Sequence, residues 1–149
     1  MLTICKFKKL RESAKIPTYE STNAAGADLY ACTDVLVTEI PPHATVMIPL
    51  GIASEFEPGH AAFLYARSGL ASKQGLAPAN KVGVVDADYR GEWKLAIHNH
   101  SNEPQIIEDG QRIGQVVFQE VETPAFITTD ELSDTARGIG GFGSTDHKK

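Results

Sequence analysis

The sequence predicts an all-β, single-domain protein, a sandwich, jelly roll or barrel, with one short helix and a flexible glycine-rich C-terminal arm. Three observations carry this reading. Apolar residues recur with period two far more often than with period three or four, as half-buried strands require. Turn-forming residues punctuate the chain at short spacing, at Pro41-Pro42, Glu57-Pro58-Gly59, Arg90-Gly91, Asn102-Glu103-Pro104 and Asp109-Gly110. Only Ser68–Gln74 has helical character, so the strands must pack on one another rather than on helices.

Taken in order, Val35-Leu36-Val37 reads as a buried strand, and the alternation of Val46, Ile48 and Leu50 as a half-buried one. Ala61–Tyr65 is a further buried run, followed by the short helix with Ser68 as its candidate cap. From Gly83 to Trp93, apolar residues, a polar turn and a returning aromatic suggest a β-hairpin or tight ribbon. Trp93, Leu95 and Ile97 alternate along the return strand, and Val116-Val117-Phe118 forms the last buried run. After Val121-Glu122-Thr123-Pro124 the pattern weakens, and Thr128–Ala136 reads as a polar linker. The expected organisation is a β body over residues 1–127 and an arm over 128–149 that belongs to the same domain.

Composition narrows the function. A chain of 149 residues with 42% hydrophobic and 22% charged residues suits one globular domain with its own core. A formal net charge of −5 argues against a nucleic-acid polymer as partner, so an anionic ligand needs a local cationic site or a metal ion. No apolar run is long enough to span a bilayer, and Lys6, Lys8, Lys9 and Arg11 are scattered where a signal peptide would place an apolar stretch. The expectation is a soluble, intracellular, cytoplasmic protein without membrane contact. Cys5 and Cys32 lack C-x-x-C spacing and read as reduced structural thiols.

Five clusters carry chemistry, and each has a plainer alternative on its own. The segment Arg137-Gly138-Ile139-Gly140-Gly141-Phe142-Gly143-Ser144-Thr145 has glycines that let backbone N–H groups close on an anion, a guanidinium fork and one aromatic for stacking on a base. Gly138, Gly140 and Gly143 fit a dinucleotide-binding spacing, but too few residues follow for the βαβ unit that spacing requires. A flexible tail is the alternative. Ala25-Gly26-Ala27-Asp28-Leu29-Tyr30 places a carboxylate at a strand start, or simply an Asp in a turn. Ala66-Arg67-Ser68-Gly69 joins a guanidinium, a hydroxyl and a glycine at a strand-to-helix junction, where an anion site and an exposed loop arginine are both open readings. Asp109–Gln115 contains Arg112 and Gln115 in what is otherwise a turn entering a strand. Gly83-Val84-Val85-Asp86-Ala87-Asp88-Tyr89-Arg90-Gly91-Glu92-Trp93 offers two carboxylates and a phenol for acid–base work, or a solvated acidic turn.

Together and in this order, the five clusters resemble the motifs of the trimeric deoxyuridine triphosphate nucleotidohydrolase (dUTPase) family, over nearly the whole chain. The resemblance implies a distorted jelly roll, or β-clip barrel, and hydrolysis of dUTP to dUMP and diphosphate with Mg²⁺. That reaction limits uracil incorporation into DNA and supplies dUMP for thymidylate synthesis. It further implies that Asp86 deprotonates the water that attacks the α-phosphorus, and that Asp28 holds the waters of an ion bound mainly by substrate phosphates. Arg67, Ser68 and Gly69 match the phosphate-contacting motif, and Gln115 the polar residue near the α-phosphate, with Arg112 in support. Asn80, Gly83, Val84 and Val85 match the hairpin that reads uracil, Tyr89 the ring beneath the deoxyribose, and Lys94 a position near the nucleotide. Arg137, Gly143, Ser144 and Thr145 would hold the γ-phosphate while Phe142 covers the base. The family builds homotrimers with sites at subunit boundaries.

Departures are small. Gly114 stands where an alanine is common, which is expected only to loosen a strand, and Trp93 and His98 read as packing or trimer-contact variation. Two competing functions share features of the sequence: a dCTP deaminase, including forms that also hydrolyse dUTP, and a nucleotide-binding regulatory protein with little turnover. The complete Gly83–Tyr89 hairpin and the Arg137–Gly143 arm favour dUTP hydrolysis.

Overall fold

The computed structural model describes residues 4–142. Eleven strands and one helix follow in the order β1 (Lys6–Lys9), β2 (Ala27–Tyr30), β3 (Val37–Ile40), β4 (Thr45–Pro49), β5 (Ile52–Glu55), β6 (His60–Tyr65), α1 (Ser68–Gln74), β7 (Leu76–Pro78), β8 (Gly83–Asp86), β9 (Lys94–Asn99), β10 (Gln105–Glu108) and β11 (Arg112–Glu120). All pairings are antiparallel, in a four-stranded sheet β2-β11-β6-β8, a three-stranded sheet β4-β9-β7, and the two-stranded pairs β1-β5 and β3-β10. The architecture is the all-β, jelly-roll-like one expected, with a single short helix.

Period-two patterning decides which face is buried. In the four-stranded sheet Ala27, Leu29, Ala62, Leu64, Val85 and Val116 point inward, and they meet Trp93, Leu95 and Ile97 of the three-stranded side in one core. Trp93 is 1% exposed and stands edge-on to Phe7, ring centroids 5.4 Å apart, so it is a core residue and not a subunit contact. Filling such a site contributes about 2–3 kcal/mol.

Three local expectations are corrected. Val35-Leu36-Val37 is not buried: Leu36 is 85% exposed, the strand begins only at Val37, and its inward residue is Ile40. A run of three apolar residues has no alternation to reveal which way it faces. Ser68 is not the helix cap but its first residue; Arg67 holds the cap position in extended conformation, and no side chain caps the N–H groups behind it. Gly75 ends the helix in the left-handed region at φ 68°, with its N–H bonded to Leu70 O. Finally, β8 and β9 do not pair as a hairpin. β8 pairs with β6 and β9 with β4 and β7, so the two strands diverge into different sheets after a shared turn.

Gly114 also does more than loosen a strand. A Cβ there would lie 2.7 Å from Leu95 Cδ1 and 3.1 Å from Tyr65 O, beside the bulge between Arg112 and Gly114. The glycine therefore permits the close approach of β11 to its neighbours.

Regular structure ends at Glu120, and the last backbone hydrogen bond into the body is Val121 N–H to Gly59 O, 2.9 Å. Residues 122–139 are exposed throughout, Phe126, Ile127 and Leu132 among them.

Candidate active site

The outward face of the four-stranded sheet carries chemistry at two opposite corners. At one corner Asp28 on β2 is in register with Gln115 on β11, which pairs with Tyr65 at the end of β6. Two residues beyond Tyr65 the chain leaves the sheet through Arg67 and enters the helix. Arg67 Nε donates to Asp28 Oδ1 at 2.9 Å, and Arg112 Nη1 donates to Asp28 Oδ2 at 3.1 Å and pairs with Glu20 Oε1 at 2.7 Å. Asp28, its side chain 11% exposed, thus sits between two guanidinium groups. Its hydrogen bond, with Glu20 and Asp28 charge behind it, raises the Arg112 pKa above the usual guanidinium value. Gln115 Nε2 donates to Ala66 O at 2.9 Å, while its Oε1 occupies the space a Cβ on Gly26 would need. Glu20, Ala24, Gly26, Asp28, Arg67, Ser68, Gly69 and Gln115 together line a cleft of about 430 Å³. The Arg67 guanidinium and the N–H groups at the helix start are the donors this cleft can offer to an anion, while Asp28 and Glu20 balance the charge of Arg67 and Arg112.

The opposite corner belongs to β8. Asp86 pairs with Ala61, four residues down β6 from Tyr65, and β8 is the outer strand of the sheet, three strands from β2. Strand geometry separates the two corners by about 13 Å along the strands and about 14 Å across them. Asp86 is exposed, and among the described residues no donor reaches its carboxylate. Its backbone carbonyl accepts the Tyr89 N–H at 3.1 Å, which closes the turn. Arg90 Nη1 holds that turn by donating to Ala87 O at 2.7 Å and more loosely to Tyr89 O and Ser54 O. Tyr89 folds over Gly91, where a Cβ would overlap its phenol oxygen, and donates to Glu92 O at 3.2 Å.

Because β8 and β9 diverge, a cleft of about 340 Å³ opens between them, with Asn80, Gly83, Val84, Val85, Asp86, Tyr89 and Lys94 in its wall beside Met47, Leu64, Glu92 and Trp93. The outer backbone edge of β8 faces away from β6 and has no strand on it. Unpaired N–H and C=O groups along such an edge can pair with the polar rim of a planar ring, much as another strand would. Gly83 packs closely here: a Cβ would stand 3.2 Å from Leu64 Cβ and 3.4 Å from Asn80 Nδ2, so a larger residue would need Leu64 to shift slightly.

Comparison with known proteins decides the family. A family model described as dUTPase matches residues 12–146. The deoxyuridine 5'-triphosphate nucleotidohydrolase of Desulfitobacterium hafniense (strain DSM 10664 / DCB-2) is 50% identical over 135 residues, covering 90% of this chain and 89% of its own length. The chain belongs to the dUTPase family. Among solved structures, Staphylococcus bacteriophage 80alpha dUTPase with dUPNHPP superposes with a TM-score of 0.85 at 25% identity, covering 95% of this chain and 97% of that one. The dUTPase from phage phi11 of S. aureus shares the fold, with a TM-score of 0.79 at 20% identity over 89% of this chain and all of the other, and is described as coordinating a structural Mg(II) ion.

The sequence-predicted residues therefore fall into separate groups. Asp28, Arg67, Ser68, Gly69 and Gln115 meet at the Arg67 cleft; Asn80, Gly83, Val84, Val85, Asp86, Tyr89 and Lys94 meet at the cleft beside β8. No residue lines both. Arg137 and Phe142 join neither: Arg137 Nε donates to Gly140 O within the arm at 2.7 Å, and Phe142 is fully exposed. Gly143, Ser144 and Thr145 lie outside the described residues. Sequence reasoning missed Glu20, which lines the Arg67 cleft and pairs with Arg112 from 92 positions away, and the structural part of Glu92, whose Oε1 accepts the Gly51 N–H at 3.2 Å. Nothing in the local sequence around Glu20 marks it.

The residues present fit a magnesium ion carried by the substrate. Among the described residues no group of three His, Cys, Asp or Glu side chains could cage a metal, and both Asp28 oxygens already accept from arginines. A carboxylate so placed can still take hydrogen bonds from an ion's waters, the mode Mg²⁺ favours. The largest cavity, about 670 Å³ and lined by Ile4, Phe7, Ile16, Tyr19 and Phe118 among others, contains none of the predicted site residues. Among the described residues, no helix is long and apolar enough to cross a membrane.

Proposed function

We propose that this chain hydrolyses dUTP to dUMP and diphosphate, in a site shared between copies of the chain. The observation that carries the reading is the division of one nucleotide's requirements between two clefts. The Arg67 cleft, with its guanidinium and helix-start donors, suits a triphosphate, and the open edge of β8, with Asp86 at its end, suits a base and the reacting α-phosphorus. The corners lie too far apart for a single chain to bring them onto one substrate. A second copy that presents its Arg67 cleft to the first copy's β8 edge removes the difficulty. The outward face between the corners, with Phe63, Tyr65, Val84 and Val117 half-covered or exposed, offers apolar surface for that contact. A homotrimer with three such sites is the assembly we infer, with the body over 1–127 and the arm over 128–149 acting as one domain.

Each residue then has a chemical part. Asp86 accepts a proton from water as the water oxygen attacks the α-phosphorus and the bond to the bridging oxygen of diphosphate breaks. Arg67 is oriented by Asp28 through Nε, which leaves the rest of its fork for phosphate oxygens, and Ser68 and Gly69 add donors at the helix start. Gln115 is fixed by Ala66 and aims its remaining N–H toward the α-phosphate. Mg²⁺, when bound, offsets phosphate charge and sets the triphosphate's shape; Asp28 is the side chain that holds its waters.

Uracil is read by the backbone of Val84 and Val85 with Asn80 and Gly83 alongside, in a slot that leaves no space for a 5-methyl group. A thymine that cannot seat leaves polar groups unpaired, at about 1–3 kcal/mol for each. The Tyr89 ring, held over Gly91, lies beneath the deoxyribose and leaves no space for a 2′-hydroxyl, while Lys94 faces the nucleotide from β9. The arm closes the site: Arg137, Gly143, Ser144 and Thr145 on the γ-phosphate, Phe142 over the base. Among the described residues Arg137 Nε bonds within the arm and Phe142 is fully exposed, which supports an arm that serves a neighbouring site.

Diphosphate release from dUTP, dTTP, dCTP and UTP, with and without Mg²⁺, tests the reading in one panel. Release from dUTP alone, and only with the ion, is expected. Ammonia released from dCTP, or tight dUTP binding without turnover, would overturn it in favour of a deaminase or a regulatory protein.

A further inference from the structure

Three of the five histidines gather at the end of β9 far from either cleft. His98 and His100 flank Asn99, and their rings meet at a centroid separation of 4.5 Å and an interplanar angle of 66°. Their backbone is pinned. Asn99 is wholly buried; its Nδ2 donates to Ile40 O at 2.9 Å and to Glu103 O at 2.8 Å, and its Oδ1 accepts from Ser101 N–H at 2.9 Å and Ser101 Oγ at 2.7 Å. His43 reaches the same place from the turn before β4, where it holds a left-handed φ of 58° and donates its N–H to Asn99 O at 2.9 Å.

We propose that His98 and His100 form a two-imidazole chelate for a borderline divalent cation of the Zn²⁺, Ni²⁺ or Cu²⁺ class, separate from any magnesium used with nucleotide. Two imidazoles on alternate residues of an extended strand present their nitrogens on the same side, which is the spacing a chelate needs. His98 Nδ1 lies 2.9 Å from Thr45 Oγ1; with Nδ1–H donating to the hydroxyl, Nε2 keeps its lone pair for a metal. The His100 backbone N–H donates to Gly75 O at 2.8 Å, but its ring has no hydrogen-bond partner among the described residues, so neither ring nitrogen is committed. His43 is turned aside, with Nε2 3.0 Å from Asn102 Oδ1. With no third side chain in place among the described residues, water completes the coordination. Magnesium, which prefers oxygen, is not the ion for this site.

His98 stands on the same outward face of β9 as Ala96 and Lys94, about 13 Å from Lys94 along the strand. The pair is therefore outside the catalytic machinery, and its test does not depend on the nucleotide reading. Untagged full-length protein, freed of metal, is titrated with Zn²⁺ by calorimetry and with Cu²⁺ by EPR. One ion per chain with a two-nitrogen EPR pattern is expected, and His98→Phe and His100→Phe should each weaken binding by about tenfold or more. Phenylalanine keeps the ring contact but removes the ligand, so a merely structural pair would leave the metal affinity of the variants equal to wild type. His43→Phe should change little, and Mg²⁺-supported dUTP hydrolysis by His98→Phe should match wild type. If a variant does not fold, ¹⁵N signals of the two imidazoles in wild-type protein must shift on addition of Zn²⁺. Equal metal binding by wild type and His98→Phe, or imidazole signals unmoved by Zn²⁺, would overturn the proposal.

Discussion

At the Arg67 cleft every ionised side chain already has a partner of opposite sign, Glu20 with Arg112, Arg112 with Asp28, and Asp28 with Arg67. Along β8, Asp86 and the outer backbone edge have none among the described residues. The first region is organised before any ligand arrives, and its charges are held in place by neighbours in the same chain. The second is incomplete within one chain, with its hydrogen-bonding capacity open. Binding strength and geometry can be built in advance on paired charges, whereas proton transfer and base reading need groups that are still unoccupied.

The largest expected effect breaks the open region. Asp86→Asn removes the proton acceptor while keeping size and exposure, so turnover should fall by about 10²–10⁴-fold with binding of a non-hydrolysable dUTP analogue retained by calorimetry. Unchanged turnover would remove Asp86 from the chemistry. Asp86→Asn protein co-refolded with Arg67→Gln protein should recover part of the activity, because some mixed sites then combine an intact Asp86 with an intact Arg67. Mixtures no more active than either parent would mean that each chain uses its own pair. Next in size is truncation after Ala136, which should leave an oligomer of unchanged sedimentation with hydrolysis reduced by about 10²-fold, the scale of losing a preorganised phosphate donor.

A smaller effect probes the prepaired region. Gly26→Ala forces the Gln115 amide from its place, because the new methyl group would overlap Oε1. The KM for dUTP should rise by about tenfold, roughly the 1.4 kcal/mol of one displaced hydrogen bond, with the dTTP and UTP ratios unaltered. A change in base selectivity instead would mean that the two clefts are not separate in function. The smallest effect is a control outside both. A hydrogen bond from Lys6, 2.8 Å long, followed by its charge, holds the Glu55 carboxyl below its ordinary pKa. The folded form therefore binds that proton less readily than the unfolded one, so the pair's contribution is full above the ordinary carboxylate range and fades as pH falls through the folded value. Lys6→Ala should flatten the acid limb of a Tm-against-pH curve and leave kcat untouched.

Much of this was legible in the sequence where the signal is local. Trp93, Leu95 and Ile97 announce their inward face because a strand's side chains alternate with period two. The motifs around Asp28, Arg67 and Asp86 were visible as residue types suited to a nucleotide. What stayed hidden depends on partners distant in sequence. The turn after Asp86 looks like a hairpin because its two arms are adjacent in the chain, but β8 pairs with β6, more than twenty residues earlier, and β9 with β4. Glu20 finds Arg112 only through the fold, and His98 is an unremarkable polar residue until His100 and His43 are placed around Asn99. Gly114 gave no sign that Leu95 and Tyr65 crowd its Cα.

The vacant edge of β8 also constrains how this protein can evolve. A slot that reads a base through main-chain groups presents the same pattern of donors and acceptors whichever residue supplies them. Val84, 56% exposed, can drift without rewriting the choice of base, provided the strand keeps its register. A new specificity would instead take an insertion or deletion between Gly83 and Asp86, which would flip Val85 out of the core. If the base is read there as proposed, fidelity toward uracil is tied in part to the register of β8, and so to the stability of the fold.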